Sequence, residues 1–188
     1  IGPGSLSAPA DGSSGNSVKE NQCSHNEIGI VVIGCDSNQI KGNHAEANLY
    51  GIIVAADSNL VSENLAEANM VGIFIQTGAD NVVRENTANN NTNNGPYGGI
   101  VHGGIVLGVP YGFPGGPRYA TGTLVVGNTA LGQAGPPNRP FQTDVFDNSL
   151  WPFNPSHTPV CENIWEENVF VKDNETGAAF GPGAGCIQ

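Results

Sequence analysis

The chain has 188 residues, with six Lys and Arg set against 17 Asp and Glu, for a formal net charge of −11. That length accommodates one domain with a real core, and the acidity argues against nucleic acid or an anionic membrane as partner, because both require clustered cations. A helix bundle is equally excluded by 23 Asn against 8 Leu, and no apolar run approaches the roughly 18 residues of a membrane span.

From the N-terminus, residues 1–15 read as a flexible lead whose opening, IGPGS, resembles a cloning scar, and one folded domain is expected over 16–188. No basic and apolar signal peptide stands at the start, so any leader is expected to have been removed. Asn triplets then recur: Asn16, Asn21, Asn26; Asn38, Asn43, Asn48; Asn59, Asn64, Asn69; Asn81, Asn86, Asn91, with steps of 22, 21 and 22 between first members. Gly-aliphatic runs follow at the same interval, GIVVI from Gly29, GIIVA from Gly51 and GIFIQ from Gly72. A fixed period of this size marks a solenoid. An amphipathic helix over SENLAEANMV is rejected because Asn is a poor helix former and a Gly with a β-branched run recurs behind each copy.

Read as strands, each unit is one turn that stacks on the next at roughly 4.8 Å. Val18, Ile40, Val61 and Val83 should then stack inside, as should Cys23, Ala45, Ala66 and Ala88, with Ile30, Ile52, Ile73 and Val32, Val54, Ile75 completing the core. The Asn rows, among them Asn21, Asn43, Asn64, Asn86, Asn128 and Asn168, are expected at bends, where Asn tolerates left-handed backbone and its amide can bond along a ladder. The unit returns in TLVVGNTALG from Thr123 and in ENIWEENVFV at Asn163 and Asn168. Placing GGIVLG in the Gly-aliphatic slot makes the 42 residues from Asn81 to Thr123 one turn with insertions. The prediction is an all-β parallel β-helix of about six rungs, roughly 30 Å long, with loop insertions at about 92–122 and 133–160.

Four cysteines with no C-x-x-C pair favour disulfides over zinc, and hence a secreted, extracellular setting. Three connectivities exist; Cys23 with Cys35 and Cys161 with Cys186 are preferred, since each pair is close in sequence.

With this repeat, residues 16 to about 131 resemble right-handed parallel β-helix proteins of the pectate-lyase-like class, in particular the NosD-like, carbohydrate-binding and sugar-hydrolase repeats. The ending CENIWEENVFVKDN…CIQ is similar to the closing segment of secreted bacterial β-helix proteins. The resemblance implies a glycan or polysaccharide as ligand, but a scaffold does not fix function.

Lyases and epimerases of this fold place a cation or calcium and a base on the outer face of the long sheet. Here that face carries Val31, Ile53 and Phe74, then Ile33, Ala55 and Gln76, with no charge. The row Lys19, Lys41 and Arg84 reads as charge balance against Glu20, Glu63 and Glu85. Stacked carboxylates such as Asp36 with Asp57 and Glu46 with Glu67 follow from repetition, leaving calcium open but no cofactor required. No His spacing suggests a metal.

Candidate ligand-binding residues therefore lie where the repeat breaks: Tyr97, His102, Tyr111, Arg118 and Tyr119 in the first irregular stretch, Arg139, Asp144, Trp151 and His157 in the second. Aromatics on loops can stack on sugar rings or cap the solenoid. Val31, Ile53 and Phe74 in line would form an exposed apolar stripe suited to self-association. The sequence thus points to a non-catalytic β-helix that binds glycan or assembles at a cell surface. Its rivals are a polysaccharide lyase, hydrolase or epimerase and a self-assembling structural protein.

Overall fold

A computed structural model describes residues 13–91, 103–108, 119–133, 145–147, 161–173 and 185–188. The first turn carries β1 (Ser17–Lys19), β2 (Gln22–Ser24) and β3 (Ile28–Ile33), and the second β4 (Gln39–Lys41), β5 (His44–Glu46) and β6 (Tyr50–Ala55). The third adds β7 (Leu60–Ser62), β8 (Leu65–Glu67) and β9 (Val71–Ala79). Beyond it come β10 (Val82–Arg84), β11 (Gly103–Leu107), β12 (Ala120–Thr121), β13 (Leu124–Val126), β14 (Val145–Asp147) and β15 (Ile164–Glu166).

Every pairing is parallel, in three sheets ordered β1-β4-β7-β10-β13-β15, β14-β11-β9-β6-β3 and β2-β5-β8. The molecule is a right-handed parallel β-helix, the hand that twisted parallel strands adopt at crossovers. Asn86 donates through its amide N–H to Asn128 Oδ1 at 2.9 Å, so 42 residues separate these consecutive turns.

The core is four columns of side chains. Val18, Ile40, Val61, Val83, Val125 and Trp165 succeed one another in register along the first sheet. Ile30, Ile52, Ile73, Ile105 and Val145 do so in the long-strand sheet, beside Val32, Val54, Ile75, Leu107 and Asp147. Alanines fill the fourth, narrower column, Ala45, Ala66, Ala88 and Ala130. Each fully buried Val or Ile stabilises by about 1.5–3 kcal/mol. The recurrent Gly has a steric cause: a Cβ at Gly51 would lie 2.5 Å from the Gly72 carbonyl oxygen, and 3.0 Å from Asn69 Nδ2.

At the corners the asparagines form ladders. Asn43 N–H and Nδ2 both donate to Asn64 Oδ1 at 2.9 Å, while Asn64 Nδ2 donates to Asn86 Oδ1 and to Ile40 O, also at 2.9 Å. The left-handed conformation falls on the residue before most of the ladder asparagines, as at Glu20, Glu63, Glu85 and Glu167, and not on the ladder asparagines themselves. The side chain that forms the ladder and the backbone that makes the bend are therefore different residues. Two substitutions alter the ladder: Gln133 stands in the third-corner row and accepts from Asn91 N–H at 2.7 Å. Thr123 stands in the first-corner row, where its buried Oγ1 has no partner among the described residues.

Cys161 and Cys186 form a disulfide, whereas Cys23 and Cys35 are free thiols, which corrects the first of the two pairings expected from the sequence. Proximity in sequence does not bring thiols together in a solenoid, since successive residues of one turn travel around it. Cys23 occupies the alanine column on β2, and Cys35 follows β3, where its carbonyl accepts from Asn38 Nδ2.

Candidate functional site

The described chain breaks off after Gly108 and resumes at Tyr119, beside the end of β9. Tyr119 O accepts from Gly78 N–H at 3.3 Å and from Thr77 Oγ1 at 3.2 Å. One turn further on, Gly122 N–H donates to Glu162 O at 2.8 Å. Tyr119 and Glu162 therefore border β12 on successive turns, at the boundaries of the segments 109–118 and 148–160.

Behind them lies Asp147. It occupies the core column above Leu107 and is 1% exposed, the one buried ionisable side chain among the described residues apart from the disulfide cysteine. Its carboxylate accepts from Trp165 Nε1 at 2.8 Å and from Asn163 Nδ2 at 3.1 and 3.2 Å. A carboxylate in an apolar column is costly unless so bonded, and here it satisfies the indole N–H that a buried Trp brings into the last turn. Burial, and then the negative charge of Asp147, raise the pKa of Glu162 above the ordinary carboxylate range. Burial and the charge of Glu162 raise that of the Tyr119 phenol in the same way. Tyr119, Glu162 and Asp147 are thus electrostatically linked from the surface inward.

Of the ligand-binding residues expected from sequence, only Tyr119 belongs to this group. Tyr97, His102, Tyr111, Arg118, Arg139, Asp144, Trp151 and His157 lie outside the described residues. Glu162 and Asp147 were not among those candidates. The signal for Asp147 was its spacing: it stands two after Val145, as Val32 stands two after Ile30, which makes VFD a third strand of the turn.

The stripe expected from Val31, Ile53 and Phe74 does not form. Val31 is 48% exposed, but Ile53 and Phe74 are only 6% and 3% exposed. They pack with Met70, Val71 and Val106, and Tyr50 stacks on Phe74 at 5.9 Å between ring centroids. Leu49 and Tyr50 at the entrance of β6, and Met70 and Val71 at that of β9, fold over the outward positions, which alternation alone assigns to solvent.

Two members of the cation row are paired with acids: Lys41 Nζ lies 2.8 Å from Glu63 Oε1, and Arg84 Nη1 lies 3.7 Å from Glu85 Oε1. His44 Nε2 is 3.1 Å from Glu67 Oε1 and 3.9 Å from Glu46 Oε2.

The family model described as periplasmic copper-binding protein (NosD) matches residues 7–100, half of the chain. The chain belongs to the NosD family. No curated protein and no solved structure gives a significant match. The family description raises copper, which takes thiolate, thioether or imidazole ligands. The described residues of this NosD-family chain do not fit it, since no group of three His, Cys, Asp or Glu is placed to hold a metal. His44 is engaged by carboxylates, Cys161 and Cys186 by each other, and Met70 by the apolar cluster.

Proposed function

We propose that this NosD-family protein is a periplasmic, non-catalytic β-helix that binds a neutral or amino-sugar glycan beside Tyr119 and Glu162. The disulfide Cys161–Cys186 supports an oxidising compartment outside the cytoplasm, in keeping with the periplasmic family. The observation that carries the binding reading is that a part-exposed phenol and an exposed carboxylate border β12 on successive turns. Amphipathic aromatics supply a stacking face for a sugar ring, and a carboxylate accepts from its hydroxyls.

The same group favours binding over catalysis. A glycosidase needs two carboxylates that both reach the scissile bond, but Asp147 is buried and committed to Trp165 and Asn163. A lyase needs positive charge beside a uronate, and the described groups that act on Tyr119 and Glu162 are acidic. The charge selects neutral or cationic sugars over polyuronates.

Titration calorimetry against neutral, amino-sugar and uronate oligosaccharides tests this. Tyr119→Ala and Glu162→Gln should each weaken binding of the preferred sugar at least tenfold without changing the far-UV spectrum. Binding through the ionised Glu162 should appear as pH rises through its raised pKa. Stability moves the opposite way: what Glu162 contributes is fully present below its unfolded-state pKa and is lost as pH rises through the higher folded value. Preference for polyuronates, or release of reducing ends or unsaturated uronates, would overturn the reading.

A further inference from the structure

The first turn of the stack is built like the others, but no described strand pairs beneath it. Strands β1, β2 and β3 are the terminal members of their three sheets, each paired on one side only. Asn16, Asn21 and Asn26 are exposed, whereas Asn38, Asn43 and Asn48 directly above them are buried. In the ladder each Oδ1 receives its donors from the turn below. No described donor reaches Oδ1 of Asn16, Asn21 or Asn26, while Asn38 Oδ1 receives both N–H and Nδ2 of Asn16.

Apolar groups are left open at the same end. Val18 and Cys23 are half-buried where their column neighbours Ile40 and Ala45 are fully buried. Ile33 is 61% exposed. Val18, Val31, Val32, Ile33 and Cys35 line a basin of about 390 Å³, bordered by Asn16 and Asn38. An exposed strand edge with apolar side chains is a template for pairing with another chain.

The opposite end differs. There Trp165 and Ile187 close the core, and the disulfide from Cys161 to Cys186 ties residues 185–188 across it. A second copy stacked head to tail would have to displace this closure, and such a contact would propagate without limit. A two-fold axis across the first turn needs neither. It sets one open edge, that of β3, against its own copy, and this strand then runs antiparallel to its mate, a pairing that forms a full ladder. The first turn, residues 16–37, also supplies about as many residues as one side of a standard-size interface, roughly 20–30.

From these observations we propose that the first turn is a self-complementary docking surface, through which two copies of this chain associate end to end as a closed dimer. Exposed β3 is the longest of the edge strands, with six residues, and Cys35 becomes covered in the pair.

Light scattering over a dilution series should give a concentration-dependent monomer–dimer equilibrium. Ile33→Asp should weaken it at least tenfold, while Ile164→Asp, at an apolar position of the last turn that is also more than half exposed, should leave it unchanged. A second readout is independent of these variants. In Cys23→Ala, which matches its column neighbours Ala45 and Ala66, maleimide labelling of Cys35 should slow as protein concentration rises. A monomer at every concentration would overturn the proposal. So would an open-ended series of larger species, an Ile164→Asp effect equal to that of Ile33→Asp, or concentration-independent labelling of Cys35.

Discussion

The two ends of this solenoid solve the same problem differently. Any stack of turns exposes its last apolar layer and its last strand edges to water. At the C-terminal end a tryptophan fills the core column, a buried carboxylate satisfies its N–H, and a disulfide-bound tail lays Ile187 over the layer. Among the described residues of the N-terminal end, the columns stop at Val18 and Cys23, both half-buried in a turn whose corner asparagines are exposed. The difference teaches that the repeat itself supplies no ends: closure has to be added by residues that break the pattern, and a turn that the described residues leave uncovered remains competent to pair.

Substitutions along the asparagine ladder should break this comparison most sharply. Asn64→Ala removes the acceptor for two donors of Asn43 and the donor to both Asn86 and Ile40. With buried partners left unsatisfied, the loss should be about 4 kcal/mol in urea unfolding. Asn21→Ala at the open end, whose Oδ1 receives no described donor, should cost less than about 1 kcal/mol by the same measurement. Equal losses would mean that the first turn is as fully engaged as the interior.

Next in size is the closure. Cys161→Ser should cost about 3 kcal/mol, the value expected for a crosslink spanning 25 residues, and should lower the thermal midpoint measured by circular dichroism. Smallest is a gain: Thr123→Asn places an amide where buried Oγ1 now lacks a partner. It extends the first-corner ladder as Asn128 extends that of Asn86, and should stabilise by about 1 kcal/mol.

How far the sequence reveals all this depends on what each residue's position requires. Ile40, Val61 and Val83 are legible because the period places them one above another, and nothing else in the chain competes for that column. Phe74 is misread because alternation reports which side of the strand a residue faces, not whether Tyr50 and Met70 fold over that side. Cys23 and Cys35 mislead because separation along a turn is not separation in space. Glu162 belongs to the broken part of the repeat, where no column announces it, and Asp147 is legible only once VFD is set in register as a strand of its turn. Tyr119 is legible as an aromatic beside an irregular stretch, but its coupling to Glu162 requires two turns to be stacked.

Hydrogen exchange followed by mass spectrometry tests the asymmetry of the ends most directly. In dilute protein, amides of β1 to β3 should exchange fast and those of β15 and residues 185–188 slowly, with concentration slowing exchange in the first turn alone. Equal protection at the two ends in dilute solution, or a concentration effect centred on the last turn, would contradict the account.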